Sequence, residues 1–122
     1  DQMTTSLDFL PTIAAITGIS LPPCKLDGEN ILPILKSPSE PSPHKVFHWQ
    51  FSVDKDNPQW AIRDGDWKLV VNGIGAKENE KIFLSNMAVD PTEIKNIAEN
   101  HQDIVTRLKT MHENWLAEVV RQ

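Results

Sequence analysis

Apolar positions recur at helical spacing near both ends of the chain and alternate in its middle. Leu7, Leu10, Ile13, Ala14, Ile16 and Thr17 lie three and four apart, which predicts a helix over residues 4–17. Pro11 lacks an N–H and crowds the preceding turn. It is expected as the first residue of the regular part, with Asp8 or Ser6 taking up the free amides upstream. Gly18 is placed to end the helix in a left-handed conformation. Residues 19–45 carry Pro22, Pro23, Pro33, Pro38, Pro41 and Pro43, so this stretch is predicted to be extended or turning. Asp27-Gly28 signals a turn. Ile31, Leu32, Ile34 and Leu35 form a small apolar cluster around one helical turn begun at Pro33, and Ser37 to Pro43 reads as an exposed loop.

The period then changes to two. In residues 46–51, Val46, His48 and Gln50 share one face of a predicted strand, and Phe47, Trp49 and Phe51 share the other. The aromatic face is expected to be the buried one. Residues 59–72 predict a hairpin, with arms Gln59–Arg63 and Asp66–Val71 joined by Asp64-Gly65, because such a turn needs positive φ. Trp60 and Ile62 share a face of the first arm; Trp67, Leu69 and Val71 share a face of the second. Residues 81–84 predict a fourth strand after a loop over 72–80. Asp90-Pro91-Thr92-Glu93 has a cap, a proline for the first helical position and an acid to reach back, predicting a short helix to about Ala98. A longer helix follows from about Gln102 to Val120, with the stripe Ile104, Leu108, Met111, Trp115 and Val119. The fold class is therefore α+β: a small antiparallel sheet of three to four strands, covered by a long carboxy-terminal helix.

Composition narrows the partners. The 122 residues carry a formal net charge of −5, and lysine and arginine nowhere form a run longer than two, so a nucleic-acid footprint is not expected. No apolar run is long enough to span a membrane, and the first residues given do not show the charged-then-apolar pattern of a signal peptide, which says nothing of where a longer parent resides. Cys24 is the single cysteine, which excludes an internal disulfide and a cysteine-rich metal site. The chain begins at Asp1 with a helical pattern close behind, the arrangement expected of a cut made shortly before a helix.

Three pieces in order resemble the sulfatases, the formylglycine-dependent sulfate-ester hydrolases of the alkaline-phosphatase-like superfamily. Asp8-Phe9-Leu10-Pro11-Thr12 with Gly18, then Asp27-Gly28 through Leu32-Pro33-Ile34-Leu35, is similar to the family's D-x-x-P-T helix and D-G-x-x-L-x-P-x-L segment. Arg63-Asp64-Gly65-Asp66-Trp67-Lys68-Leu69 is similar to its R-x-G-x-W-K-L hairpin. Phe83-Leu84-Ser85-Asn86, Asp90-Pro91-Thr92-Glu93 and Asn96-Ile97-Ala98 resemble the L-Y-D-L, D-P-x-E and N-L-A signature before the final helix. The resemblance implies that residues 1–45, a helix plus a proline-rich connection, end an α/β catalytic domain, and that residues 46–122 are the carboxy-terminal subdomain. It implies a parent that hydrolyses sulfate esters with a formylglycine and Ca²⁺ or Mg²⁺, in a periplasmic, secreted or lysosomal setting. The partner implied is the missing amino-terminal catalytic domain.

The residues that would do that chemistry are not expected here. The family's formylglycine arises in a C-x-P-x-R or S-x-P-x-R motif, whereas Cys24 is followed by Lys25-Leu26-Asp27, and Ser37 and Ser42 do not match either. No catalytic or metal residue is assigned, and the chain alone is expected to be inactive. His48, Arg63 and Lys68 are the candidates for a substrate rim; solvated strand ends are the plainer account of the two cations. His44 and His48 are four apart, but strand geometry favours surface or rim histidines over a metal pair. His101 and His112 are expected to face solvent. Asp54, Asp56, Asp64 and Asp66 lack the glycine and distal glutamate of a calcium loop. Trp67 and Trp115 are expected in the core. Two other readings remain open: the tail of a related phosphoesterase or phosphonate hydrolase, and a non-catalytic binding or oligomerisation module. Residues 1–36 carry more apolar surface than a lead-in helix needs, so self-association through them is expected.

Overall fold

The computed structural model describes residues 2–52, 54 and 56–120. They form two compact units, 1–45 and 46–122.

In the first unit a 3-10 turn at Ser6–Asp8 leads into helix α1, Phe9–Thr17, and a second helix, α2, covers Leu32–Lys36. Pro11 is therefore the third residue of α1, within its first turn, rather than the residue that opens it. The preceding 3-10 turn holds Thr5, whose N–H donates to Asp8 Oδ2 at 2.8 Å. Gly18 ends α1 at φ 72°, where a side chain would strain the backbone. Asp8 is the hub. It is fully buried, accepts the Glu29 N–H at 2.8 Å, and pairs with His44 Nε2 at 2.7 Å. Burial pushes its carboxyl up, but the amides of Glu29 and Thr5 and the imidazole of His44 more than offset this, so it titrates below its usual value. His44 is thus an interior partner, 9% exposed, rather than a surface histidine. Thr12 Oγ1 accepts the Ile31 N–H. Gly28 lies against the backbone at Leu7, where a Cβ would sit 2.0 Å from the carbonyl oxygen.

The second unit is a meander. Strands β1 (Val46–Ser52), β2 (Gln59–Asp64), β3 (Trp67–Val71) and β4 (Ile82–Asn86) pair antiparallel in the order β1-β2-β3-β4. Helix α3, Gln102–Val119, follows. Gly65 turns the β2–β3 hairpin at φ 58°. The register sets His48, Ile62, Leu69 and Leu84 side by side across the sheet. The last three are fully buried, with Val105 and Leu108 of α3 and Ala98. The face carrying Val46, His48 and Gln50 is therefore the one packed under the helix. The expectation that the aromatic face of β1 is buried is overturned: Trp49 is 40% and Phe51 74% exposed. The register fixes this, because a strand whose His48 aligns with Ile62 turns Phe47, Trp49 and Phe51 the other way.

A second correction concerns residues 90–98. They form no helix: Glu93 sits at φ 54°, and a 3-10 turn at Ala98–Asn100 precedes α3. Asp90 caps a loop instead, accepting the Lys95 N–H at 2.9 Å. The loop delivers Asn96 to the outer edge of β4. There Asn96 Oδ1 accepts the Leu84 N–H at 3.1 Å and the Ala98 N–H at 3.0 Å, while Nδ2 donates to the Ile82 carbonyl at 2.9 Å. The Ile97 N–H donates to the Leu84 carbonyl. One side chain and one amide thus cover an edge that would otherwise invite strand addition. A helix running through Asn96 would carry that amide away from β4.

Candidate functional site

The most closely knit polar group of the second unit lies between β1, β2 and α3. His112 is 1% exposed, so its placement facing solvent is overturned. It lies four residues after Leu108 on the buried side of the helix. His112 Nε2 is 2.9 Å from Gln50 Oε1, and its Nδ1 is 3.2 Å from His48 Nδ1. Gln50 Nε2 donates to the Ser52 carbonyl, which turns Oε1 toward His112. The protons follow from this orientation. His112 donates from Nε2 and accepts at Nδ1, and His48 donates from Nδ1.

Two indole rings enclose the pair. Trp60 stacks on His112 at 4.1 Å between ring centroids and 7° between planes; Trp115 stacks on His48 at 4.6 Å and 1°. Burial holds His48 below its usual value. Burial first, and then the charge of His48, push His112 down to about 4. Both rings are therefore neutral at pH 7. Trp115 belongs to this cluster, while Trp67 packs beside the apolar core, with His101 tilted against it at 5.3 Å.

The three rim candidates divide between the two faces of the sheet. His48 lies under the helix. Arg63 and Lys68 are register partners on the opposite face, in the row that begins with Phe47. Arg63 Nε donates to the Gly65 carbonyl at 2.9 Å. Lys68 Nζ meets Glu93 Oε1 at 2.5 Å, with only about a quarter of each side chain exposed. Beside them, Phe51, Trp60, Val70 and Ile74 line an apolar crevice of about 180 Å³. The hub formed by Asp8 and His44, and the edge cover formed by Asn96, are the other polar groups that the sequence pattern did not reveal. Asp8 and Asn96 each sit in one of the motifs that carry the resemblance, so a motif position whose residue type has no role in periodicity is the available signal; His44 lies outside them.

A divalent cation and a formylglycine do not fit the residues present. Cys24 is exposed and is followed by Lys25-Leu26-Asp27-Gly28, without the downstream proline and arginine of the motif. Among the described residues no three histidine, cysteine or acidic side chains converge on a point that would hold a metal.

A four-stranded antiparallel meander backed by one long helix and led by a glycine-terminated helix defines a small α+β class. The solved chain of Ps i-CgsB contains the same fold, with TM-score 0.73 and 24% identity over 94% of this chain and 24% of that one. The structure of BT4656 in complex with its substrate D-glucosamine-2-N,6-O-disulfate gives 0.62 at 22% identity, over 88% of this chain and 22% of that one. The model of the carboxy-terminal part of N-sulphoglucosamine sulphohydrolase matches residues 1–119, and the chain belongs to that family. Mouse arylsulfatase K is 30% identical over 84% of this chain, and the choline-sulfatase of Rhizobium meliloti (strain 1021) is 32% identical over 80%. Bovine arylsulfatase A is 34% identical over 55% of it. The chain spans only 13–19% of the length of these relatives.

Proposed function

We propose that this chain is the structural carboxy-terminal portion of a sulfate-ester hydrolase, and that the reacting groups lie in sequence outside these 122 residues. The family match over nearly the whole chain carries this reading. In it, a formylglycine and Ca²⁺ or Mg²⁺ are supplied by the catalytic portion, and no step of the reaction is assigned to a residue here.

The first unit supports the same reading. Phe9, Leu10, Ile13 and Ile16 leave one side of α1 more than half exposed, with Leu7 and Ile19 at its ends. A contiguous apolar surface of this kind marks an interface. Its occupant in the proposal is the amino-terminal catalytic portion of the same polypeptide. Arg63 and Lys68 are the cations that a sulfated substrate would meet from this part of the protein. The test joins the chain to the sequence that precedes it in its gene and assays aryl sulfate and aryl phosphate side by side. Preferential release of sulfate supports the proposal. Preferential release of phosphate, or no release of either, overturns it.

A further inference from the structure

The two halves of α3 are held by different means. Its first half rests on the sheet through Val105 and Leu108, which pack on Ile62, Leu69 and Leu84. This contact has no titratable group. Its second half is held to β1 by the hydrogen bond of His112 to His48 and the stack of Trp115 on His48, and to β2 by the stack of His112 on Trp60.

The hydrogen-bond chain runs in one direction only. Gln50 donates to Ser52, His112 to Gln50, and His48 to His112. Two of the four imidazole nitrogens are donors in these bonds and a third is the acceptor. The fourth, Nε2 of His48, has no hydrogen-bond partner among the described residues. We propose that His48 and His112 form a latch between β1 and the second half of α3 that accepts one proton and opens on the second.

The first proton goes to Nε2 of His48. It leaves every existing bond in place and sets an imidazolium on the face of Trp115, an arrangement that indole favours. The second proton can go only to Nδ1 of His112, the atom that accepts from His48. Two N–H groups then face each other across 3.2 Å, each on a cation, in a site closed to water at His112. Nothing nearby compensates. β1 has no charged residue. On β2, Asp64 pairs with Arg107 of α3, and Arg63 bonds its own hairpin. On α3, Asp103, Glu113 and Glu118 are exposed and Lys109 is half-buried; none contacts either ring. Separation of the rings is the remaining way to accommodate both charges, and it releases residues 111–119 from β1, which stays paired with β2.

The downward shifts of both histidines agree with this order of events. His112 must rise from about 4 to its free value near 6.5 as the latch opens. Linkage then makes the opening equilibrium about thirtyfold more favourable at pH 5 than at pH 8. At pH 5 ordinary carboxylates are still ionised, so the effect is separable from acid unfolding.

The test is amide hydrogen exchange on the full chain at pH 8 and pH 5, corrected for intrinsic rates, in the wild type and in His48→Phe. Phenylalanine keeps a ring on Trp115 but neither donates nor charges. The expected result is loss of protection of about thirtyfold in residues 111–119 of the wild type, with residues 104–109 unchanged and a clearly smaller loss in His48→Phe, where His112 keeps its burial but faces no second cation. Uniform protection along α3 at both pH values overturns the latch, as does an equal acid loss in His48→Phe. Should the variant not fold, the proton positions decide. Nitrogen chemical shifts at pH 8 must place a proton on Nδ1 of His48 and on Nε2 of His112, and any other tautomer pair overturns the proposal.

Discussion

Replacing Asn96 by alanine removes three hydrogen bonds without touching the apolar core. Its carboxamide takes the Leu84 and Ala98 N–H groups at 3.1 and 3.0 Å and gives a proton to the Ile82 carbonyl at 2.9 Å. Alanine leaves two backbone donors and one acceptor without a partner along a half-buried edge. A net hydrogen bond is worth about 0.5–1.5 kcal/mol, and an orphaned buried group costs more than a solvated one. Water can reach part of this edge, so the expected loss is about 2–3 kcal/mol. In a domain of this size that corresponds to a fall in melting temperature of about 10–20 °C. Asn96→Asp keeps the acceptor for both amides but turns a second oxygen toward the Ile82 carbonyl, so it should fall between wild type and alanine. Urea unfolding followed by tryptophan fluorescence reads both variants, with an unchanged slope because the Ile97–Leu84 bond persists. An Asn96→Ala midpoint within about 0.5 kcal/mol of wild type would refute the edge-cover argument.

Gly28→Ala should destabilise the first unit by roughly 2 kcal/mol or more, because its Cβ would lie 2.0 Å from the Leu7 carbonyl oxygen and the backbone must move; an unchanged thermal melt contradicts this. Asp8→Ala should cost about 3–5 kcal/mol by leaving buried donors unpaired, measured by urea unfolding. Since the Asp8 carboxyl titrates below its usual value of 3.8, its contribution is present above that pH and lost only as pH falls below it; a loss centred near pH 6 would point to another group. Light scattering at tens of micromolar should find the full chain self-associated and a chain starting at Ser42 monomeric, given the exposed α1 residues; monodisperse monomers in both cases would show that the apolar face needs no cover.

The elements with a strong period were legible in the sequence. The hairpin was read from Asp64-Gly65 between alternating apolar residues, and α3 from its stripe, because both patterns answer to burial. The faces were less legible. Phe47, Trp49 and Phe51 look more apolar than Val46, His48 and Gln50, yet the register with Ile62 and Leu69 puts the histidine under the helix. Periodicity ranks residues by hydrophobicity, so it has no means of knowing that His112 waits on α3 as a partner for His48. The same limit hid Asp8 and His44. Each looks like a surface residue alone, and only the pair, 36 positions apart, makes burial favourable. The Asp90-Pro91-Thr92-Glu93 run misled for a different reason. Its cap chemistry is real, but Asp90 closes a loop, and the hydrogen bonds of Asn96 with β4 outweigh the local preference for a helix.

The most direct test of the central claim is the release of inorganic sulfate by the 122-residue chain alone from a chromogenic aryl sulfate, with Ca²⁺ supplied, measured beside the same chain joined to the sequence that precedes it in its gene. The account predicts no release above buffer from the chain alone and turnover from the joined protein. Sustained turnover by the chain alone would contradict it, since the nucleophile would then have to lie among the residues described above.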